Sequence, residues 1–462
     1  MKLRSQKRWE LGRKKMFNRK LGLGLAMSSM LAGSGGAWGA GFYIQEQSAA
    51  GVGRAQAGNV AISDDASTIY FNPAGMTELE GVQVTSGIDL IVPTASLTDT
   101  GSDYRSTGAF LVNPPSGGFV SANGGSGGNP GSATPIPDFY ISAQIPDSPI
   151  TVGLGVTAPF GFASKFAEGG FARYDSIDSF VETFDIAPTI AWKVTDWLSV
   201  GAGLDEQYAY VKLRSALPDP LNLGGPTPAS DGRLTLTGHE WTTGYNVGVL
   251  LKPAAGTKIG FSYRSAITHN INGAVTFSGL SGPLAAQNGQ EGAAAGLDLP
   301  DMFSGGIAQQ VTPDLTLLGE IDYYNWSNFK SITINLAGGG ALATPENYRN
   351  TYSGAIGAEY QLTDQIKLRT GFKYDQTPTV DAYRDTRVPD GDRYWLSGGI
   401  HYAVSDHLGL DASYAHIFLD DSVVHVTRSF YGAALPIPTT ATINATSSVS
   451  LDLLTVGFSY RF

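Results

Sequence analysis

The 462-residue chain contains no cysteine. Stability cannot come from disulfides, and a metal site would lack thiolate ligands. Charge is also sparse, with Asp, Glu, Lys and Arg at 15% of residues, low for a chain whose surface meets only water. No run of about 18 apolar residues occurs after the N-terminus, which argues against a transmembrane helix. The six histidines (His239, His269, His401, His407, His416 and His425) show no ligand spacing, so neither a metal nor another cofactor is expected. No linker divides the chain, despite a length that would suit two or three soluble domains.

What is present is glycine (59 residues), tyrosine and phenylalanine (21 each) and a marked excess of acid. The N-terminus carries most of the local base. Lys2 to Lys20 is positive, Leu21 to Leu31 is mostly apolar, and Ala37-Trp38-Gly39 is a small-x-small cleavage site. Residues 1–39 therefore read as a secretion signal, with Met16 as an alternative start. Without them the chain holds 21 Lys/Arg against 40 Asp/Glu, a net −19. That balance is ill suited to nucleic acid.

From Gly81 the chain alternates between apolar and small or polar residues in segments of strand length. In the last segment Leu454, Val456, Phe458, Tyr460 and Phe462 share one face, and Leu453, Thr455, Gly457, Ser459 and Arg461 the other. Residues 366–375 and 315–326 repeat the pattern, with Lys367, Arg369, Lys373, Asp375, Glu320 and Asp322 on the polar face. A Lys or Arg facing mid-bilayer lipid costs about 2–4 kcal/mol, so these charges are expected to point inward. Fourteen segments result: 82–92, 138–145, 150–158, 183–193, 197–213, 240–252, 257–277, 299–311, 314–326, 350–362, 365–376, 393–404, 407–419 and 449–462. Short turns such as Thr195-Asp196, Thr363-Asp364 and Ser405-Asp406 alternate with long connections such as 93–137 and 420–448. An even strand number with this alternation predicts an all-β, 14-stranded antiparallel barrel over residues 81–462, in a bacterial outer membrane. A secreted β-sandwich or propeller is the rival fold.

Fourteen strands enclose more space than side chains alone fill. Residues 40–80, rich in small residues and without sustained periodicity, are expected to lie inside as a hatch.

The residues also carry a resemblance. AGFYIQEQSAAGVGRAQAG followed by DDASTIYFNPAG is similar to the N-terminal hatch of the FadL family of outer-membrane long-chain fatty acid and hydrocarbon transporters. The resemblance continues through GYNVGVLLKP, YRSAI, LDLPDMF, NWSNF, RTGFKYDQTP and DGDRYWLSGG. It implies passive uptake by a monomer. Ligand would bind a groove between the third and fourth external loops, enter a lumen pocket, and leave sideways into outer-membrane lipid through a kinked third strand. Asn72, Pro73, Ala74 and Gly75 match the hatch motif beside that kink. Pro159, Phe160 and Gly161 are the candidate opening, because Pro159 lacks a ladder N–H; the alternative is that Pro159 merely starts a loop.

Leu217, Leu221, Leu223, Leu280 and Leu284, within 214–239 and 278–298, are the candidate groove; packing on one another as a lid is the competing role. Lys212, Arg214 and Lys330 are candidates for a ligand carboxylate, in imperfect register with the family's basic residues, which keeps uncharged hydrocarbons open as substrates. Asp375 and Arg393 are expected to face the lumen, as a structural ion pair in preference to a ligand contact. An outer-membrane lipase is the rival from the enzyme class, needing a Ser and a His within reach of one another. A general porin or adhesin fits the barrel but leaves the apolar loops unexplained. The expected partners are a hydrophobic small molecule and the surrounding lipid and lipopolysaccharide.

Overall fold

The computed structural model describes residues 41–122, 126–432, 435 and 437–462. The expected secretion signal over residues 1–39, with Met16, and Ala40 lie outside them. Fourteen strands form the wall: β1 (Val82–Asp99), β2 (Thr134–Gln144), β3 (Ile150–Thr157, resuming at Gly161–Lys165), β4 (Asp178–Lys193), β5 (Leu198–Leu217), β6 (Gly232–Ala254), β7 (Thr257–Arg264 and Ile267–Ser278), β8 (Gly289–Leu299 and Met302–Gln310), β9 (Leu315–Tyr324), β10 (Thr351–Gln361), β11 (Ile366–Asp375), β12 (Arg393–Ala403), β13 (Leu408–Leu419, extended by Ser422–Phe430) and β14 (Thr439–Arg461). Each pairs antiparallel with its neighbours, and β1 pairs with β14 from Gln83↔Arg461 to Asp99↔Ala445, which closes the barrel.

Closure follows from the solvent. A strand edge in hydrocarbon would leave backbone N–H and C=O groups unpaired, so the sheet must return on itself. The side chains obey the same constraint. Leu451, Leu453 and Thr455 are buried while Leu454, Val456 and Phe458 are exposed. Around the outer rim Tyr245, Tyr263, Phe303, Tyr323 and Tyr352 form an unbroken belt with ring centroids 4.6–6.3 Å apart, an aromatic girdle at the membrane interface. Trp192, Trp197 and Phe462 are exposed at the opposite end.

The strands reach beyond the expected segments, chiefly outward: β14 begins at Thr439 and β6 at Gly232. Polar and Ala-rich stretches there lack a lipid-facing stripe, so the alternation that marks a membrane strand fades although the ladder continues. The seventh segment, expected to be continuous, breaks at residues 265–266.

Residues 41–79 run through the lumen as short helical turns. Ser48 caps Ala49–Gly53, its hydroxyl accepting from Gly51 N. Asn72, extended at φ −154°, accepts from Ala74 N and so caps the 3-10 turn Pro73–Glu78. The Asn72 amide also donates to Val60 O (2.6 Å) and to Val249 O of β6 (3.0 Å). Ion pairs tie the hatch to the wall: Arg54–Glu359 at 2.7 Å, Glu78–Lys252 at 2.6 Å and Asp64–Lys367 at 3.4 Å. Backbone meets backbone at Gly371 and Gly260, where a Cβ would overlap the carbonyls of Arg54 and Val60.

Gly371→Leu is therefore expected to unseat the hatch at about 1–3 kcal/mol of overpacking. Limited proteolysis within residues 49–62 should accelerate while the heat-modifiable barrel band on a gel persists; equal protection of the hatch would contradict the seating described.

Candidate functional site

At the outer end, the connections 218–231 (after β5) and 279–288 (after β7) enclose a groove of about 400 Å³. Leu221, Leu223, Pro283 and Leu284 line it, and Ser281 Oγ donates to Asp219 Oδ2 at 3.1 Å across it. Leu217 and Leu280, expected in the groove, are buried instead. Leu217 ends β5, and Leu280 packs against Gly232.

Inside the wall lies one contiguous apolar tract. It starts at Leu213, Leu234, Leu236, Val275 and Phe277 under the loops and continues through Ile267, Ile271, Met302 and Trp326. It ends on Phe42, Tyr43 and Tyr70 of the hatch and on Phe160 and Phe162 of β3. Phe42 is its hub, with ring centroids 4.9 Å from Trp326, 5.4 Å from Phe329 and 5.9 Å from Phe162. A small cavity of about 40 Å³ remains between hatch and wall, lined by Tyr43, Gln45, Arg264, Glu320 and Lys373.

β3 breaks where Pro159 stands. Its ladder with β2 ends at Val156↔Phe139, and its continuation pairs with β4 alone. The places that β2 leaves vacant are taken by the hatch. Ile44 N donates to Pro159 O at 2.8 Å, and Gly161 N donates to Phe42 O at 2.9 Å. The Gln47 side chain brackets Ala158, donating to its carbonyl at 3.1 Å and accepting from its N–H at 3.3 Å. Tyr140 of β2 donates to Gln47 O at 2.8 Å. The hatch N-terminus thus sits in the break as a stopper of about one short strand.

The structure places the candidate bases as follows. Lys212 pairs with Asp178 at 2.8 Å, and Arg214 with Glu168 at 3.3 Å. Lys330 is exposed on the connection after β9. Asp375 and Arg393 are buried partners in the β11–β12 register. Arg393 grips Asp390 at 2.6 Å, and Asp375 accepts from Gln45 of the hatch at 2.8 Å. Lys373 reaches Gln45 as well as Asp322, the latter at 3.2 Å. Gln45 and Gln47 escaped the sequence reading; the signal was a strand-like FYIQEQ at the expected mature terminus.

Residues 30–462 match the family described as Outer membrane protein transport protein (OMPP1/FadL/TodX). The chain belongs to this family. It is 26% identical over 402 residues to the long-chain fatty acid transport protein of Salmonella typhi, covering 82% of this chain and 88% of that one. Among solved structures, a Pseudomonas aeruginosa FadL homologue superposes with a TM-score of 0.79 at 25% identity, over 92% of this chain and all of that one. The toluene transporter TbuX of Ralstonia pickettii gives 0.61 at 18% identity, over 89% and 97%, a likeness of fold. This FadL-family barrel is an outer-membrane transporter of hydrophobic compounds.

The connection 166–177 that follows the broken strand is held by two adjacent clasps. Arg173 stacks on Tyr104 and Tyr174 and pairs with Asp231 at 2.8 Å. Asp175 accepts from Thr386 N at 2.9 Å and pairs with Arg387 (3.1 Å) and Arg428 (2.6 Å). Burial works to raise the Asp175 pKa, but Arg428, Arg387 and Thr386 outweigh it and hold the carboxyl well below the usual range. Because the folded pKa is depressed, its contribution is complete above the unfolded value of about 3.9 and fades as pH falls below that. Asp175→Asn should cost about 3–5 kcal/mol of local stability. Proteolysis of 166–177 at pH 7 should speed up in the variant, and the difference from wild type should shrink below about pH 4.

Proposed function

We propose that this transporter carries long-chain fatty acids passively, reading the hydrocarbon chain rather than a fixed head-group site. The observation that carries the reading is the apolar tract joining the loop end to the hatch and to the break in β3. Each CH₂ buried along such a tract contributes about 0.8 kcal/mol, so affinity rises with chain length. The fatty-acid naming of the Salmonella typhi relative supports this substrate class. Capture begins in the groove of Leu221, Leu223 and Leu284. Release follows when the stopper at Phe42–Ile44 withdraws from Pro159, Phe160 and Gly161 and the ligand leaves sideways into lipid. The motif Asn72-Pro73-Ala74-Gly75 anchors the hatch against β6 while this happens. A second reading, small uncharged hydrocarbons, is favoured by the pairing of Lys212 with Asp178 and of Arg214 with Glu168, which leaves these two bases already matched.

Competition binding to the detergent-folded protein separates the readings. Oleate and its methyl ester should bind within about tenfold of each other, both well ahead of toluene, which buries far less apolar surface. Toluene competing on equal terms would favour the hydrocarbon reading. Oleate ahead of its ester by well over tenfold, with the advantage lost in Arg214→Ala or Lys330→Ala, would mean a dedicated carboxylate site.

The lateral route has its own test. Replacing Pro159 and Gly161 with Thr and Val, to favour a continuous β3, should abolish oleate uptake by cells while leaving binding within twofold. Unchanged uptake in a folded variant would refute sideways release.

A further inference from the structure

The break in β3 is not the sole fault in the wall among the described residues. β6 and β7 pair from Thr257↔Ala254 up to Arg264↔Asn246, and again from Asn272↔His239 outward. Between these stretches the register shifts by one residue and the ladder is missing. Ser265 closes the lower end, its N–H donating to Tyr245 O (2.9 Å) while its hydroxyl accepts from Tyr245 N (3.0 Å). Asn272 Nδ2 closes the upper end by donating to Glu240 Oε2 at 2.9 Å. Residues 241–244, about 13 Å of strand, have no ladder partner on β7. β5 and β8 continue their own ladders on either side.

β7 bends into the lumen here. His269 is fully buried and its Nε2 lies 2.8 Å from Gln207 Oε1 of β5, past the strand that should separate them. The inward bend places Ile267 and Ile271 in the apolar tract. The seam itself is shut by packing alone: a Cβ at Gly244 would stand 2.6 Å from Ile267 Cδ1. On the outside, Trp241 is half exposed and packs on Tyr208 at 5.3 Å, one step outward from Tyr245 of the aromatic belt. Thr268 and Asn270 are exposed beside it. The seam thus lies where hydrocarbon gives way to head groups, and its outer end leads to the groove, because 218–231 runs into β6 and 279–288 leaves β7.

We propose that the β6–β7 seam is a second side portal, through which lipophiles lodged at the outer-leaflet interface enter the apolar lumen past Ile267. The contrast with β3 supports this. There the vacant backbone positions are filled by the hatch, whereas here no other described strand or hatch segment fills them. Unpaired backbone groups are costly when buried in a membrane wall, and a wall needed only as a barrier would be paired. Ile267 acts as a leaf that a chain can push aside without breaking a hydrogen bond.

This rests on the lipophile-uptake reading above, and the test separates the two. The cysteine-free chain allows a clean Thr243→Cys/Thr268→Cys pair, both outward-facing across the seam. Oleate binding to purified protein and oleate uptake by cells are measured oxidised and reduced, with cross-linking scored by mass spectrometry. Uptake should fall at least fivefold when oxidised and recover with reductant, with binding within twofold throughout. Full uptake by the cross-linked protein overturns the portal. Ile267→Ala, which needs no cross-link, should raise initial uptake at least twofold; an unchanged rate in the folded variant also overturns it. If wild type neither binds nor imports oleate, the fatty-acid reading fails, and both variants are scored with toluene by the same criteria.

Discussion

At hydrocarbon depth every backbone N–H and C=O in the wall must find a partner, because the lipid there offers none. That one requirement closes β1 on β14 and forces lipid-facing and lumen-facing side chains to alternate. It also explains how the wall tolerates an interruption at Pro159. The polar groups that β2 cannot reach are met by Phe42, Ile44 and Gln47, so the hatch replaces a missing piece of sheet as well as filling space. Movement of the hatch and continuity of the wall are consequently one variable.

The lumen divides its labour by chemistry. Towards the periplasmic end, charged groups dominate: Arg54 and Arg369 converge on Glu359, Arg369 also meets Asp411, and Lys252 and Lys258 share Glu78. The buried pairs on Glu359 and Asp411 are costly to separate, and with the half-buried pairs on Glu78 they fix the hatch floor. Towards the outside, the side chains of Phe42, Tyr43 and Tyr70 meet the wall mainly through aromatic and apolar packing, which a ligand's own apolar surface can replace. The firm end and the exchangeable end belong to the same segment, residues 41–79.

Much of this was legible in the sequence, for a physical reason. Alternation is enforced by lipid, so all fourteen strand positions could be read from residues such as Leu454, Val456 and Phe458 against Leu453 and Thr455. Outside the membrane that force is absent, and the outward extensions of β6 and β14 went unseen. The break at Pro159 was readable because proline lacks an N–H. The break in β7 was not, since Ser265 and Ala266 carry no such mark and the bend is set by contacts to β5 and β6. Groove leucines could be named but not sorted: Leu221 and Leu223 face water while Leu217 and Leu280 turn inward, a difference decided by partners such as Gly232. Ion-pair partners were likewise hidden, because Asp175 and Arg428 are far apart in sequence and meet only through the loops.

The length of β14 has one more consequence. Its 23 residues span roughly 75 Å along the strand at about 3.3 Å per residue, or about 55–60 Å of height at a tilt near 40°. The lipid-facing apolar band of such a barrel is only about 25 Å tall. Roughly half of β14 therefore stands clear of the hydrocarbon, and because the inner turns are short, nearly all of that surplus projects outward; β5 and β6, at 20 and 23 residues, do the same, whereas β9 to β12, at 10–11 residues, do not. The wall is thus lopsided, and the groove rides on its tall side, lifted clear of the membrane surface at the ends of β5 and β6.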